Sequence, residues 1–552
     1  MKGWCAVSTG SLLFAALGNK TKDIKEGIMA ELQKKRSGFE RFIHGVEVVG
    51  NKLPHPFWLF IYLSIIVLVL SYFLSKAGVS VTYMSAGKAG ADAKETTVAV
   101  VNLFSYEALR KYFANFVPIY TSFAPLGLIM TMTLGIALLE QSGLISAFMR
   151  KAILGAPSWA ITATLAVVGI NANLASDAGI IFTPAIGGAI FKALGRNPWV
   201  GIATGFAAGC GGFTANFFIA GTDALLSGIT QSAVSASVFP INAPVHPLMN
   251  WYFLMAATVI LTLATTFVTE KFTVRVLGDD TTVKDDEYLA QHRVTADENR
   301  GLRYALIALV IVVALFLYNI LPQGSFFRAD NGDIVPKSPF LSGIICELFI
   351  LFFIVGIAYG YGARTIKKMA DVPHMMGKGL ANGVSFLVVV LPAAAFIYFF
   401  AESHLTTVLA VKGAEMLKAM NLGGIPLLLM FILLSCFVNL FMISGSAKWL
   451  ILAPIFVPMF SVVGFSPALT QMAYRIGDSS TNIISPLSYY LPVIIGLLEQ
   501  YRPEGNKQEV GIGTVLSMSM PYSIAYIVCF SVQLVVWYLL KLPMGPGTPP
   551  IM

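Results

Sequence analysis

The sequence predicts an all-α polytopic membrane protein with nine transmembrane helices and two opposed re-entrant hairpins. Three observations predict it. Apolar residues make up 56% of the 552 and charged residues only 12%, where a soluble globular chain carries roughly 45–50% and about 25%. Uncharged runs such as residues 56–75 reach the roughly 20 residues that cross a bilayer's hydrocarbon core. Two longer apolar stretches are interrupted by polar and glycine-rich breaks in the same order. A β-barrel would instead show roughly ten-residue alternating segments, and a nucleic-acid binder would gather its basic residues on one soluble face. Neither pattern is present, so no nucleic-acid partner is expected.

The elements follow in order. Residues 1–50 read as a cytoplasmic N-terminal segment, because the apolar patch 11–17 is short for a span. Behind it Glu31, Lys34, Lys35, Arg36 and Arg41 fall on an amphipathic helix. Residues 51–155 hold the first scaffold helices, with spans at Pro56–Lys76 and 121–139, and residues 156–247 hold a first hairpin and a discontinuous helix. Scaffold spans at 249–268, 304–320, 341–361 and 384–401 occupy residues 248–422. Residues 423–511 repeat the hairpin and discontinuous helix, and 512–552 hold a last span at 515–540 and the C-terminus.

The net charge, 37 − 29 = +8, is read loop by loop. Lys271, Arg275, Lys284, Arg293, Arg300 and Arg303 cluster in one loop, and Arg364, Lys367, Lys368 and Lys378 in another. Both are cytoplasmic by the positive-inside rule, whereas the uncharged stretch 227–250 and the weakly basic 322–338 belong outside. The N-terminus is then inside and the C-terminus periplasmic or external. The five cysteines have no paired or metal-like spacing, which predicts no disulfide framework.

The stretch 156–222 is broken at Asn171-Ala172-Asn173, at 195–199 and at GCGGFTAN (209–216). The stretch 423–498 is broken at Ser444-Gly445-Ser446, at 464–467 and at 477–482. Non-helical backbone at membrane depth is tolerated only where protein or water satisfies it, so these breaks should line a cavity. Ser176 precedes Pro184 by eight residues and Ser446 precedes Pro454 by eight. A Thr/Ser-x-Asn trio follows each, at Thr214-Ala215-Asn216 and Ser480-Thr481-Asn482. The loop charges insert the two units upside down relative to each other. Inverted repeats whose broken helices meet near the midplane are the signature of a secondary transporter.

A charge in lipid costs roughly 2.5–3.5 kcal/mol on insertion scales, so Asp177, Asp223, Lys448, Arg475 and Asp478 each need a partner or a function. Arg475 and Asp478 are three apart and could pair on one helix face. No basic neighbour in sequence accompanies Asp223, which makes it a candidate proton carrier or, more plainly, a helix cap. Asn171, Asn173, Ser176, Asn216, Ser444, Ser446, Thr481 and Asn482, with freed carbonyls, could coordinate Na⁺ at the hairpin tips or cap helix ends. Trp449 could stack on an aromatic ligand or pack, and Lys448 beside it would suit an anion.

The stretch SGSAKWLILAPIFVPMF (444–460), followed by AYRIGDSSTNIISP (473–486), resembles the AbgT family of p-aminobenzoyl-glutamate transporters and related drug exporters. NKLPHP (51–56), FAPLG (123–127), SDAGIIFTP (176–184), GCGGFTAN and LPMGPG (542–547) agree, so the resemblance runs from about residue 51 to the C-terminus. It implies a homodimer in the inner membrane, in contact with lipid, whose inner core carries the site. It also implies substrate roles for Asp223, Ser446, Trp449, Pro467, Arg475, Asp478 and Pro486; Lys448 rests only on its place at the tip.

These readings lead to a proton- or sodium-coupled transporter, with no other cofactor, that moves p-aminobenzoyl-glutamate or related small aromatic, folate-derived anions. A proton-driven exporter of sulfonamide-type antimetabolites is the alternative. An intramembrane aspartyl protease using Asp223 and Asp478 is the enzymatic rival, disfavoured because such a pair must face one another with one carboxyl protonated, whereas Arg475, within a turn of Asp478, would hold it ionised.

Overall fold

The computed structural model describes residues 54–85, 94–278, 293–336, 338–420, 423–442, 444–502 and 510–552, without the side chains of residues 84, 85, 94, 175–177, 382, 383 and 385. The expected cytoplasmic segment 1–50 and the Ser176 and Asp177 side chains therefore lie outside the described residues.

Helix starts follow their capping residues. α1 (Pro56–Lys76) opens on proline, whose missing N–H costs nothing in the first turn. A two-stranded antiparallel hairpin follows, β1 (Ser80–Ser85) on β2 (Lys94–Ala99), with Val81 opposite Val98. α2 (Tyr106–Thr121), capped by Ser105, bends into α3 (Ala124–Gln141). The predicted span 121–139 is thus the second half of a longer helical run, and the β-hairpin was not expected.

α4 (Leu144–Leu154) leads into α5 (Ile161–Asn171), a 3-10 turn at Ala172–Ala175 and α6 (Ser176–Ala193). α7 (Pro198–Phe206) returns against α6 at very short range: a Cβ on Gly187 would sit 2.3 Å from the Gly201 carbonyl oxygen, and one on Gly201 2.2 Å from that of Gly187. Only glycine at both places lets the backbones touch, as in small-residue packing of membrane helices. α8 (Gly221–Ala236) and α9 (Trp251–Val268) complete this half.

α10 (Ala296–Tyr318) and α11 (Pro339–Gly362) pair with each other, and α12 (Asp371–Glu402) lies against α1 and α3. α12 begins thirteen residues before the predicted 384, and α13 (Leu405–Ala419) was not predicted. α14 (Gly424–Phe441) and α15 (Gly445–Val462) flank the second tip, followed by α16 (Pro467–Thr481), α17 (Leu491–Gln500) and α18 (Ile512–Leu539).

Among the described residues, eight helical runs are long and apolar enough to cross a membrane, or up to ten if each of two bent pairs counts as one span. α14 and α15 have 18 residues each, so by length, about 27 Å, either reaches across. α5, with 11 residues, does not. The second arm of the first hairpin, α6, has 18 residues like α15, so the two halves differ only in their first arms.

The largest apolar core runs from Phe206 and Ile229 to Trp449, Tyr474, Ile483 and Tyr526 and encloses both breaks. Cys210 and Cys436 are buried, Cys346 is exposed, and none of the four described cysteines is in a disulfide.

Candidate functional site

The first break begins where α7 widens into a π-helical turn, Ala207–Gly211, and ends at the N-terminus of α8. Such π-turns are frequent at functional sites. Asn173 of the first tip donates to the carbonyls of Phe213 and Ala215 at 2.8 and 3.3 Å, and Asn171 accepts from the Phe217 N–H at 2.8 Å. The freed backbone of the break is thus satisfied by the tip next to it, as a dry site requires. In the second half α16 runs into a 3-10 turn, Asn482–Ile484. There Asn439 donates to the Asp478 carbonyl at 2.6 Å and to Thr481 Oγ1 and Asn482 Oδ1, each at 2.9 Å.

The two breaks then meet each other. The Thr214 N–H donates to Ser479 Oγ at 3.1 Å, and Ser479 Oγ donates to the Gly211 carbonyl at 2.7 Å.

Across this junction the charges pair in a way the sequence had not suggested. Arg475 Nη1 lies 2.7 Å from Asp223 Oδ1, with both side chains 2% exposed, and Nη2 donates to the Thr214 carbonyl at 3.3 Å. Asp478 pairs instead with Lys448, Nζ to Oδ1 at 2.5 Å. The expected Arg475–Asp478 pair along one helix is therefore corrected: helix-face spacing permits it, but each side chain has a partner on another element. Asp223 likewise has a cation after all, brought from the other half of the chain. It is also a cap, because its Oδ2 accepts from the Ala220 N–H at 2.8 Å and from Asn216 Nδ2 at 3.1 Å.

A cavity of about 620 Å³ opens at the junction. Thr214, Thr222, Arg475, Asp478 and Asn482 give it a polar side with Ser444 and Ser446 of the second tip, and Phe213, Leu226, Phe386, Tyr489 and Tyr490 give it an aromatic and apolar side. Gly445 sits at the tip because a Cβ there would come within 2.9 Å of Asp478 Oδ2. The combination of an apolar wall with a few convergent polar groups is what small-ligand sites share.

The geometry agrees with what the chain is similar to. A model of the AbgT putative transporter family matches residues 41–552. The chain belongs to the AbgT family. It is 37% identical over 506 residues to the p-aminobenzoyl-glutamate transport protein of Escherichia coli strain K12, covering 92% of this chain and 96% of that one. Its fold is similar to the Neisseria gonorrhoeae MtrF structure, described as illuminating a class of antimetabolite efflux pumps, with a TM-score of 0.84, 36% identity and coverage of 92% of this chain and all of that one. The Alcanivorax borkumensis YdaH transporter, whose crystal structure was described as revealing an unusual topology, is similar at a TM-score of 0.80 and 33% identity, over 89% of this chain and all of that one. An AbgT chain is a multi-pass transporter and not an enzyme. The protease geometry is also missing, since Asp223 and Asp478 each face a cation of their own.

Of the sequence-predicted residues, Asp223, Arg475, Asp478, Asn482, Ser444 and Ser446 meet at the junction or line its cavity. Trp449 does not line it: fully buried, it stacks on Tyr474 at 4.6 Å and 21°, and its Nε1 donates to Thr230 Oγ1 at 2.9 Å. Pro467 opens α16 at its buried N-terminal end, and Pro486 follows the 3-10 turn of the second break without lining the cavity. Asn173 Oδ1 and Asn216 Oδ1 are buried without a hydrogen-bond partner among the described residues. Sequence reasoning missed Asn439, Tyr489 and Tyr490. The tyrosines lie seven and eight residues past the end of the predicted break at 482, and extending it by eight would have included them.

Proposed function

We propose that the chain is an ion-coupled secondary transporter of p-aminobenzoyl-glutamate or related small aromatic, folate-derived anions. The observation that carries this reading is the cavity at the two breaks, where a buried guanidinium and an aromatic wall face one space. A carboxylate of the ligand meets Arg475 as a charge-assisted pair, and its aryl group lies on the apolar side. The same step loosens Arg475 from Asp223. The freed carboxylate then takes a proton, which ties ligand binding to proton uptake through one shared cation.

A Na⁺-coupled variant is supported by Asn173 Oδ1 and Asn216 Oδ1, hard acceptors buried without partners at the first tip. A second reading, a proton-driven exporter of sulfonamide-type antimetabolites, is favoured by the 36% identity to MtrF. The inner membrane, nine spans with two opposed hairpins, a cytoplasmic N-terminus and a homodimer belong to the same proposal, supported by loop charges and the family resemblance.

The test is uptake and efflux of labelled p-aminobenzoyl-glutamate in proteoliposomes, with pH and Na⁺ gradients imposed separately. Movement driven by either gradient is expected. Equal flux with no gradient dependence, or none of this ligand or of a sulfonamide, overturns the reading.

A further inference from the structure

Lys448 is a buried cation that the proposed ligand chemistry does not use. Its side chain is fully buried one turn into α15, yet it does not line the cavity. Its ammonium donates to Asn439 Oδ1 and lies 2.5 Å from Asp478 Oδ1. Those two oxygens belong to different helices, α14 and α16, and both sit at the second break. Two oxygen acceptors, one of them charged, converging beside a broken helix form the environment that a mobile monovalent cation would occupy in an ion-coupled carrier.

The repeat register sharpens the point. Aligning Ser176 with Ser446 places Ala178 opposite Lys448. That register does not superpose the asparagines, but at the first tip Asn173 Oδ1 and Asn216 Oδ1 are buried without a partner among the described residues, whereas at the second Asn439 Oδ1 is taken by the lysine. One half leaves acceptors open at its tip, and the other fills those at its break with a lysine from the helix between them.

We propose that Lys448 is a tethered cation that permanently takes the coupling-cation place at the second tip, so that this tip binds no Na⁺. Charge accounting favours it. Among the described residues the junction holds two carboxylates, Asp223 and Asp478, and two cations, Arg475 and Lys448. A Na⁺ added at Asp478 beside Lys448 would leave an uncompensated positive charge in a site where unpaired charge is costly. The lysine tail also fixes the charge in place at no cost of recruiting an ion from solution. The second tip then serves as a fixed electrostatic support for the ligand site, and any exchangeable cation acts at the first.

The inference rests on the ion-coupled reading of the core, but its test reads binding and not transport, so either can fail without the other. Purified protein is melted in detergent in NaCl or choline chloride at equal ionic strength, for wild type, Lys448→Gln and Lys448→Gln/Asp478→Asn. The single variant strands Asp478, so it should melt lower in choline and gain a saturable rise of about 3 °C with Na⁺, beyond any shift of the wild type. The double variant has no stranded carboxylate and should lose that extra rise. A single variant with no extra Na⁺ response, including one that folds in neither salt, overturns the proposal. So does a double variant that responds as the single one does, because the ion would not then be at Asp478.

Discussion

Replacing Arg475 by alanine tests the junction most directly, because it separates what the ion pair does for folding from what the guanidinium does for ligand. Asp223 keeps its two neutral donors, the Ala220 N–H and Asn216 Nδ2, but loses the guanidinium that pairs with a side chain only 2% exposed. Removing one partner of a buried pair costs about 3–5 kcal/mol, most of it the desolvation of the abandoned charge. For a chain of 552 residues that lowers the melting temperature by about 3–4 °C. Asp223→Asn/Arg475→Met removes both charges together, and neutral replacement of a whole buried pair is close to neutral, so it should recover all but about 1–2 kcal/mol. Ligand binding should stay absent in both variants, since neither has a guanidinium facing the cavity. The assay is a detergent melt beside equilibrium binding of labelled ligand on the same preparation. A double variant as unstable as Arg475→Ala would refute the pair as the source of the loss, and one that binds ligand would refute the role of Arg475 in the site.

Three further outcomes are expected. Asp223→Asn keeps the cap and removes the titration but strands the Arg475 guanidinium, so it should melt lower and still bind ligand, whose carboxylate meets that guanidinium, yet fail to accumulate it under an imposed pH gradient; wild-type accumulation in proteoliposomes would exclude Asp223 as the proton carrier. His246, in the loop before α9, has its pKa pushed down from 6.5 to about 4 by burial, with its hydrogen bond to the Pro546 carbonyl opposing the shift. The unfolded chain then takes this proton first, so stability is full above about pH 6.5 and falls as the pH drops towards about 4, by up to about 3 kcal/mol; His246→Gln should flatten that part of a pH series of melts. Tyr489→Leu should weaken aromatic ligand binding about 3–10-fold, whereas Trp449→Phe, away from the cavity wall, should cost about 1 kcal/mol of stability through the lost bond to Thr230 and leave affinity within twofold.

The spans were legible because one physical variable, uncharged length, decides them. α1 matches the predicted Pro56–Lys76 residue for residue. Where two variables compete, the pattern misleads. The start of α12 at Asp371 carries Lys378 and His374, polarity that looked like loop and is helix at the membrane edge. α13 holds Lys412, Glu415 and Lys418 among its apolar residues, so no uncharged window marks it. The strand pair Ser80–Ser85 and Lys94–Ala99 carries too little apolar weight to register beside spans of about 20 residues. The breaks were legible for the opposite reason. Glycine, asparagine and serine interrupting an apolar run weaken the helix and bring polar groups that hydrocarbon cannot satisfy, so they persist at membrane depth only where a cavity or a neighbouring segment meets them.

The pairing of charges at the junction was not legible, and the reason is general. Sequence spacing reports which residues share a helix face, and on that ground Arg475 and Asp478 looked like partners. A buried ion pair, however, is selected by the need of each charge for an opposite one wherever the fold brings it, and Arg475 finds Asp223 across 252 positions. Desolvation makes an isolated charge so costly that every one in the core must be matched, while nothing requires the match to be local. The sequence does carry the weaker, correct statement. Of the five charges placed in or beside breaks, the four whose side chains are described, Asp223, Lys448, Arg475 and Asp478, sum to zero, and a neutral set of four can close as two pairs in two ways. Helical proximity favoured one closure; the meeting of the breaks at Thr214 and Ser479 imposes the other. That closure leaves Arg475 joining the two halves of the chain and Lys448 joining α15 to α16 within one. A ligand that competes for Arg475 therefore acts on the contact between halves, while the Lys448 pair stays inside its own.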